Sequence, residues 1–223
     1  MSAPVSVIIP TLNEERRIAA TIDAAFAAGA AEVIVSDGGS NDATHSIARE
    51  HGARVINEAT MRSRQLNRGA AGASHEHLIF LHADTLLPPD AAYLVVRALE
   101  RSIFGGFRLR FAEEAMKLRV AAAMINVRTF VTRAPWGDQA QFIRRETFER
   151  IGGYRELPIM EDYELAARMK RMGKTIVLPQ KVTTSGRRFL DKGVLRTAFI
   201  NWSIIMRYRF GASTDDLAAL YRR

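Results

Sequence analysis

The chain has no cysteine among its 223 residues. Disulfide frameworks, thiolate nucleophiles and cysteine-ligated zinc or iron–sulfur centres are therefore excluded. It also lacks the roughly 18 uninterrupted apolar residues of a membrane-spanning helix. Its longest apolar stretches are broken at Arg119 and Arg128, and again at Arg196 and Arg207. Met1–Val7 has no basic segment leading into an apolar one, so no secretory leader is read there and the expectation is a cytoplasmic protein. The P-loop pattern G-x-x-x-x-G-K-[ST] is absent. The turn after the first strand reads Thr11-Leu-Asn-Glu14, which excludes the glycine-rich dinucleotide fingerprint. Aromatic residues make up 8% of the chain, and no aromatic-rich strand interleaves with the scattered basic residues. That argues against a nucleic-acid-binding platform. Lysine is scarce too. Of the 32 basic residues 27 are arginine, and the formal net charge is +8. Arginine forks onto phosphate and carboxylate oxygens, so anionic ligands or lipid headgroups fit this balance.

What is present is globular: 48% hydrophobic and 25% charged residues, enough for one domain with a small appendage. The first hundred residues alternate regularly. Short β-branched runs at Val5–Pro10, Glu32–Asp37, Arg54–Ile56 and His77–His82 are separated by helical patterns over 14–26, 42–50, 62–73 and 90–101. This predicts an α/β fold with a mostly parallel central sheet flanked by helices. In such sheets ligands bind beyond the carboxyl ends of the strands, here Thr11–Glu14, Asp37–Asp42 and His82–Thr85. The second half predicts a strand at 104–111, a long helix over 113–130, a strand at 139–144 and a helix over 160–172. Two short strands follow at 175–178 and 181–184, then a helix over 191–210.

Each strand end carries a polar group. Asp37-Gly-Gly-Ser40-Asn-Asp42 ends a strand with two glycines and a helix cap, which by itself is also a plain strand–turn–helix junction. His82-Ala-Asp84-Thr85 sets one carboxylate at the sheet rim, where a hard cation could bridge diphosphate oxygens or where the loop is simply capped. Arg62, Arg64 and Arg68 open a helix, with 64 and 68 one turn apart, either as a phosphate clamp or as a solvated basic face. Glu161, Asp162 and Glu164 crowd the start of another helix, where the dipole favours acids and where a general base could face a cleft.

Together these elements resemble glycosyltransferase family 2, the inverting enzymes of the GT-A nucleotide-sugar-binding fold. Val5-Ser-Val-Ile-Ile-Pro-Thr-Leu-Asn-Glu14 resembles the family's opening strand and turn, and Asp37–Asp42 its Asp-Asp-Gly-Ser-x-Asp element with Gly38 for the second Asp. Leu81-His-Ala-Asp84 resembles its Asp-x-Asp metal element with His82 for the first Asp. Arg144–Tyr154 and Met160-Glu-Asp162 resemble its acceptor-side signature. The likeness spans about 4–186 and looks closest to the small bacterial branch associated with radical-SAM and selenodomain genes. The resemblance implies a GT-A catalytic domain over 1–186, with a nucleotide-binding half at 1–102 and an acceptor-side half at 103–186. It implies base and ribose contacts at Pro10, Thr11, Asn13, Glu14 and Asp37, with Gly39 and Ser40 in the same turn. His82, Ala83 and Asp84 would meet the nucleotide, Arg64 and Arg68 its phosphates, and Asp84 a Mn²⁺ or Mg²⁺ ion. Asp162 would deprotonate an acceptor hydroxyl, with Glu161 beside it. A UDP-sugar is the first donor expected, although the base stays open between uracil, guanine and thymine. The alternative is a catalytically degenerate domain that binds nucleotide or a membrane surface.

The tail, 187–223, predicts an amphipathic helical extension through Val194, Leu195, Ala198, Phe199, Trp202, Ile205 and Met206, flanked by Lys192, Arg196, Arg207 and Arg209. Its apolar stripe suits the catalytic core, a second subunit, or the inner membrane face and a lipid-linked acceptor. The segment 113–136 is expected to supply much of the acceptor wall.

Overall fold

The computed structural model describes residues 3–58 and 61–222. The first half runs β1 (Val5–Thr11), α1 (Ile18–Ala27), β2 (Glu32–Asp37), α2 (Thr44–Glu50), β3 (Arg54–Asn57), α3 (Arg62–Gly72), β4 (His77–Phe80), β5 (Thr85–Leu86) and α4 (Ala91–Leu99). Then come β6 (Phe104–Phe111), α5 (Met116–Thr132), a 3₁₀ turn at Gly137–Gln139, β7 (Gln141–Arg144), α6 (Arg145–Arg150), α7 (Glu161–Met172) and β8 (Thr175–Thr184). The tail holds α8 (Arg187–Lys192), α9 (Val194–Arg209) and α10 (Thr214–Arg222). The strands form one sheet in the order β3-β2-β1-β4-β7-β6-β8-β5. β3, β2, β1 and β4 pair in parallel, as do β6 and β8, whereas β7 runs antiparallel to both its neighbours. The short β5 closes the edge antiparallel to β8. The sheet is thus mostly parallel, as the alternating pattern predicts.

The β-branched runs are continuous because both sheet faces are covered. Val5, Val7 and Ile9 of β1 join the core under α1 and α4, whereas Ile8 points the other way, toward Leu66 and Ala70 of α3 and Leu165 and Met169 of α7. In α1 the buried residues Ile18, Thr21, Ile22 and Ala25 recur at helical spacing and lay one stripe on the sheet. A third small cluster of Met160, Ile204 and Leu217 fastens the tail to the start of α7.

The structure departs from the expected elements in three places. The two short strands at 175–178 and 181–184 are one strand, β8, whose register with β6 shifts between Phe107 and Arg108. A bulge absorbs the irregularity around Pro179. The helix expected over 191–210 is broken at Gly193, whose φ of +82° favours glycine, and α8 precedes it. Helix α6 and the two-residue β5 have no counterpart among the expected elements, and α10 adds a separate helix to the expected helical tail. Among the described residues, no helix is long and apolar enough to cross a membrane.

Close approach constrains the sheet at Gly105, where a Cβ would lie 2.4 Å from Phe142 Cζ and 2.7 Å from the Ile176 carbonyl oxygen. Gly105→Ala is expected to cost about 2–3 kcal/mol through overpacking in a rigid layer. Urea denaturation with an unchanged midpoint would contradict it.

Candidate active site

Parallel register sets Thr11, at the end of β1, opposite Asp37, at the end of β2. Asp37 is buried and accepts hydrogen bonds from Thr11 Oγ1 at 3.0 Å, Gly39 N at 3.0 Å, Ser40 N at 2.8 Å and Ser40 Oγ at 2.5 Å. Burial raises its proton affinity, but the bonds from Ser40, Thr11 and Gly39 outweigh that, so the carboxyl sits below its ordinary value and stays ionised. Asn13, at φ 55°, ties the two loops together: its N–H donates to Ser40 Oγ and its Oδ1 accepts from Asn41 N. Gly38 has a steric reason. A Cβ there would lie 2.8 Å from Nε2 of Gln65, whose amide donates to the carbonyls of Thr11 and Ser36 at 2.7 and 2.9 Å.

A cavity of about 780 Å³ opens at these strand ends. Pro10, Thr11, Glu14, His82, Ala83 and Asp84 line one side, and Glu161 and Asp162 of α7 line another. Asn13 lines a smaller adjoining cleft of about 290 Å³ with Glu14, Asp42 and Arg187. Asp37, Gly39 and Ser40 stand behind Thr11 rather than in the cavity wall. Arg64 and Arg68 lie outside it, and Arg64 is exposed and paired with Glu156 at 2.9 Å. The guanidinium groups that do face the cavity are Arg62 and Arg187.

Arg187 reaches Glu14 at 3.0 Å and Asp84 at 3.7 Å. Burial raises the Asp84 carboxyl, the pull of Arg187 opposes this, and Glu14 adds to it. Among the described residues, no three acidic or imidazole groups converge into a ready-made metal cage. Asp84 is the carboxylate at the rim that could share a hard cation with ligand oxygens.

On the far side Arg62 Nε pairs with the buried Glu161 at 2.9 Å, and its Nη2 lies 3.9 Å from Asp162. Burial raises the Glu161 carboxyl against the pull of Arg62, and Asp162 pushes it the same way as burial. Asp162 Oδ2 accepts the Gly137 N–H and Oδ1 accepts the Tyr163 N–H, each at 2.7 Å. The carboxylate is thereby fixed in one orientation, with a lone pair on each oxygen still to offer. Gly137 is wedged among these groups: a Cβ would lie 2.4 Å from Arg62 Nη2 and 2.9 Å from both Asp162 Oδ2 and His82 Nε2. Burial, and then Arg62, hold the His82 imidazole well below its ordinary value, so it is neutral, and its buried Nε2 has no hydrogen-bond partner. Met160, just before the two acids, takes a left-handed φ of 73°. For a non-glycine residue that costs about 1–2 kcal/mol, the kind of strain retained at functional sites.

Sequence reasoning missed Asp138. It lines the cavity on the 3₁₀ turn, and its buried Oδ1 has no partner. Burial pushes its carboxyl up to about 6, with Asp162 adding and Arg128 opposing. The Arg128 guanidinium itself lies 3.3 Å from the Trp136 ring centroid, and burial lowers it to about 10. Of the segment 113–136, for which the sequence predicts an acceptor wall, only Trp136 lines the cavity. The tail lines more of the cavity, through Asn201, Ile204, Ile205, Ala218 and Tyr221.

The family model for Glycosyl transferase family 2 matches residues 6–154. The chain belongs to glycosyltransferase family 2. A relative 30% identical over 203 residues is the succinoglycan biosynthesis protein ExoA of Rhizobium meliloti (strain 1021), with 79% of this chain and 61% of that protein aligned. The chain thus spans about three fifths of that relative's length. Among solved structures, the mannosyltransferase PcManGT from Pyrobaculum calidifontis, in complex with GDP-Man and Mn²⁺, has a TM-score of 0.68 at 18% identity, covering 99% of this chain and 69% of that one. S. aureus TarS 1–349 in complex with UDP-GlcNAc has a TM-score of 0.64 at 16% identity, covering 82% of this chain and 58% of that one. Both have the GT-A fold that this family 2 chain adopts.

Asp138 gives the site a pH signature. Its carboxyl holds a proton more tightly in the fold than at its ordinary value of 3.8, so ionising it costs stability as pH rises between about 4 and 6. Asp138→Asn is expected to raise stability by about 3 kcal/mol near pH 8 and to leave it unchanged near pH 3. Thermal unfolding midpoints that shift equally at both pH values would contradict this.

Proposed function

We propose that the protein transfers a sugar from a nucleoside-diphosphate donor to a hydroxyl acceptor with inversion at the anomeric carbon. One observation carries the reading: a single cavity in a family 2 fold has Asp84 and Arg187 at its strand-end side and Asp162, held by two backbone N–H groups, at the start of α7. The donor base and ribose pack against Pro10 and Thr11, with Gln65 filling the space beside Gly38. A UDP-sugar is the first donor to test. The structural neighbours were solved with UDP-GlcNAc and with GDP-Man and Mn²⁺, which supports a nucleotide sugar without choosing its base.

Asp84 fits a divalent cation that arrives with the nucleotide, because one carboxylate plus phosphate oxygens is how Mg²⁺ and Mn²⁺ are commonly held on phosphates. When bound, such an ion neutralises charge on the departing diphosphate. Arg187, already beside Asp84, is placed to take up the same charge. Arg62 compensates Glu161 and leaves Asp162 as the base. The acceptor oxygen forms its bond to the anomeric carbon as the bond from that carbon to the phosphate oxygen breaks. The hydroxyl proton passes to Asp162, and the electron pair leaves with the nucleoside diphosphate. Asp138, with its free Oδ1, and the Trp136–Tyr163 pair at 6.1 Å offer a polar and an aromatic surface for the acceptor.

The test is release of nucleoside diphosphate from a donor panel. Asp162→Asn is expected to lower release about 100-fold or more while donor binding is retained. Undiminished release would sink the assignment of the base. Arg187→Ala is expected to lower turnover about 10-fold or more, through lost stabilisation of the leaving diphosphate, and unchanged turnover would remove Arg187 from that role.

A further inference from the structure

Helix α5 is apolar on the side it does not need for packing. Leu118, Ala121, Ala122 and Thr129 are buried against the fold, yet Met116, Val120, Met124, Val127 and Val131 are 67, 52, 64, 63 and 73% exposed. Those five recur at intervals of four, four, three and four residues, so they form one continuous stripe. Helix α9 repeats the arrangement. Thr197 and Ile204 are buried inward, while Leu195, Phe199 and Trp202 are 86, 66 and 58% exposed on one outer face. The two helices pack against each other. Single exposed apolar residues are ordinary, but such stripes on two touching helices mark an interaction surface.

We propose that the outer faces of α5 and α9 form a docking surface for an anionic lipid bilayer. Charge chooses this occupant. Neither helix contains an aspartate or glutamate, and exposed basic residues border both stripes: Lys117 and Arg119 on α5, and Arg196, Arg207 and Arg209 on α9. An apolar stripe between cationic borders matches an interfacial helix, with side chains in the acyl boundary and guanidinium groups among phosphates. A two-fold contact between copies of this chain would set those cationic borders against each other with no carboxylate on either helix to compensate.

The surface also lies close to the chemistry. Asn201, Ile204 and Ile205, on the inner side of α9, line the cavity. A bilayer against the outer side of α9 would lie about one helix diameter, ~10 Å, from it. The acceptor class this fits is a hydroxyl-bearing group carried on a lipid. That last step rests on the transferase reading, whereas the docking does not.

The full chain is to be floated with phosphatidylcholine vesicles, with and without phosphatidylglycerol. The expected result is flotation with the phosphatidylglycerol vesicles only, weakened by added salt, with a blue shift of tryptophan emission. Each basic border residue removed is expected to weaken binding about five-fold. The double variants Val127→Glu with Met124→Glu, and Phe199→Glu with Trp202→Glu, are expected to lose flotation while keeping the thermal midpoint and its increase with nucleoside diphosphate. All four side chains are exposed, so a folded protein is the expected background. Failure of wild type to float with phosphatidylglycerol vesicles, or equal flotation of the variants, overturns the proposal. So does a dimer in light scattering that the variants dissolve, if no vesicle binding accompanies it. Flotation without nucleotide stabilisation would keep the docking surface and remove the transferase reading instead.

Discussion

Arg62 in the first turn of α3 pairs with Glu161 in the first turn of α7, and the candidate site depends on that contact. The two helices cover the same face of the sheet, and their N-termini meet at the cavity. A buried Glu161 without its guanidinium would be an uncompensated charge, which is far costlier than the pair itself. Gly137 threads between Arg62, Asp162 and His82 because only a residue without Cβ fits there. Its N–H then fixes Asp162. One ion pair therefore sets the spacing within which the backbone orients Asp162.

Several features around the cavity run against stability. Asp138 has a buried oxygen without a partner, His82 Nε2 has no partner, and Met160 holds a left-handed backbone. Ala140, at φ 47°, carries the same strain in the neighbouring turn, whereas Asn13, at φ 55°, is a residue type that tolerates it. Strain and unsatisfied polar groups that line a cavity are of the kind a binding and catalytic site retains. Asp37 makes the contrast. Its buried carboxyl accepts four hydrogen bonds, so it organises the loops at the ends of β1 and β2.

The parallel half of the fold was legible because strands covered on both faces are written as β-branched runs, and Val5–Thr11 and Glu32–Asp37 are such runs. The bend in β8 and the short α6 were not, since a bulge and a six-residue helix leave little periodicity. The arginines teach a sharper lesson. Arg64 and Arg68 do share a face of α3, but it is the solvent face, because Leu66 and Ala70 fix the helix phase. Arg62 lies one turn before Leu66, in phase with the packed residues at the mouth of the cavity, and a charge at that phase was the available signal. Asp138 had no comparable signal. Its environment is assembled from α5, the turn and α7, which are distant in sequence.

In the proposed transferase one cavity divides the work, with Asp84 on the nucleotide side and Asp162 on the acceptor side. Thermal stabilisation by UDP, GDP, TDP, CDP and ADP, each with Mn²⁺ or EDTA, tests it most directly on wild type, Asp84→Ala and Asp162→Asn. The account predicts that one nucleotide stabilises wild type and Asp162→Asn only with metal, by about 2.7 kcal/mol at a hundredfold excess over Kd, and that Asp84→Ala loses the effect. Loss in Asp162→Asn with retention in Asp84→Ala, or no stabilisation by any nucleotide, would contradict it.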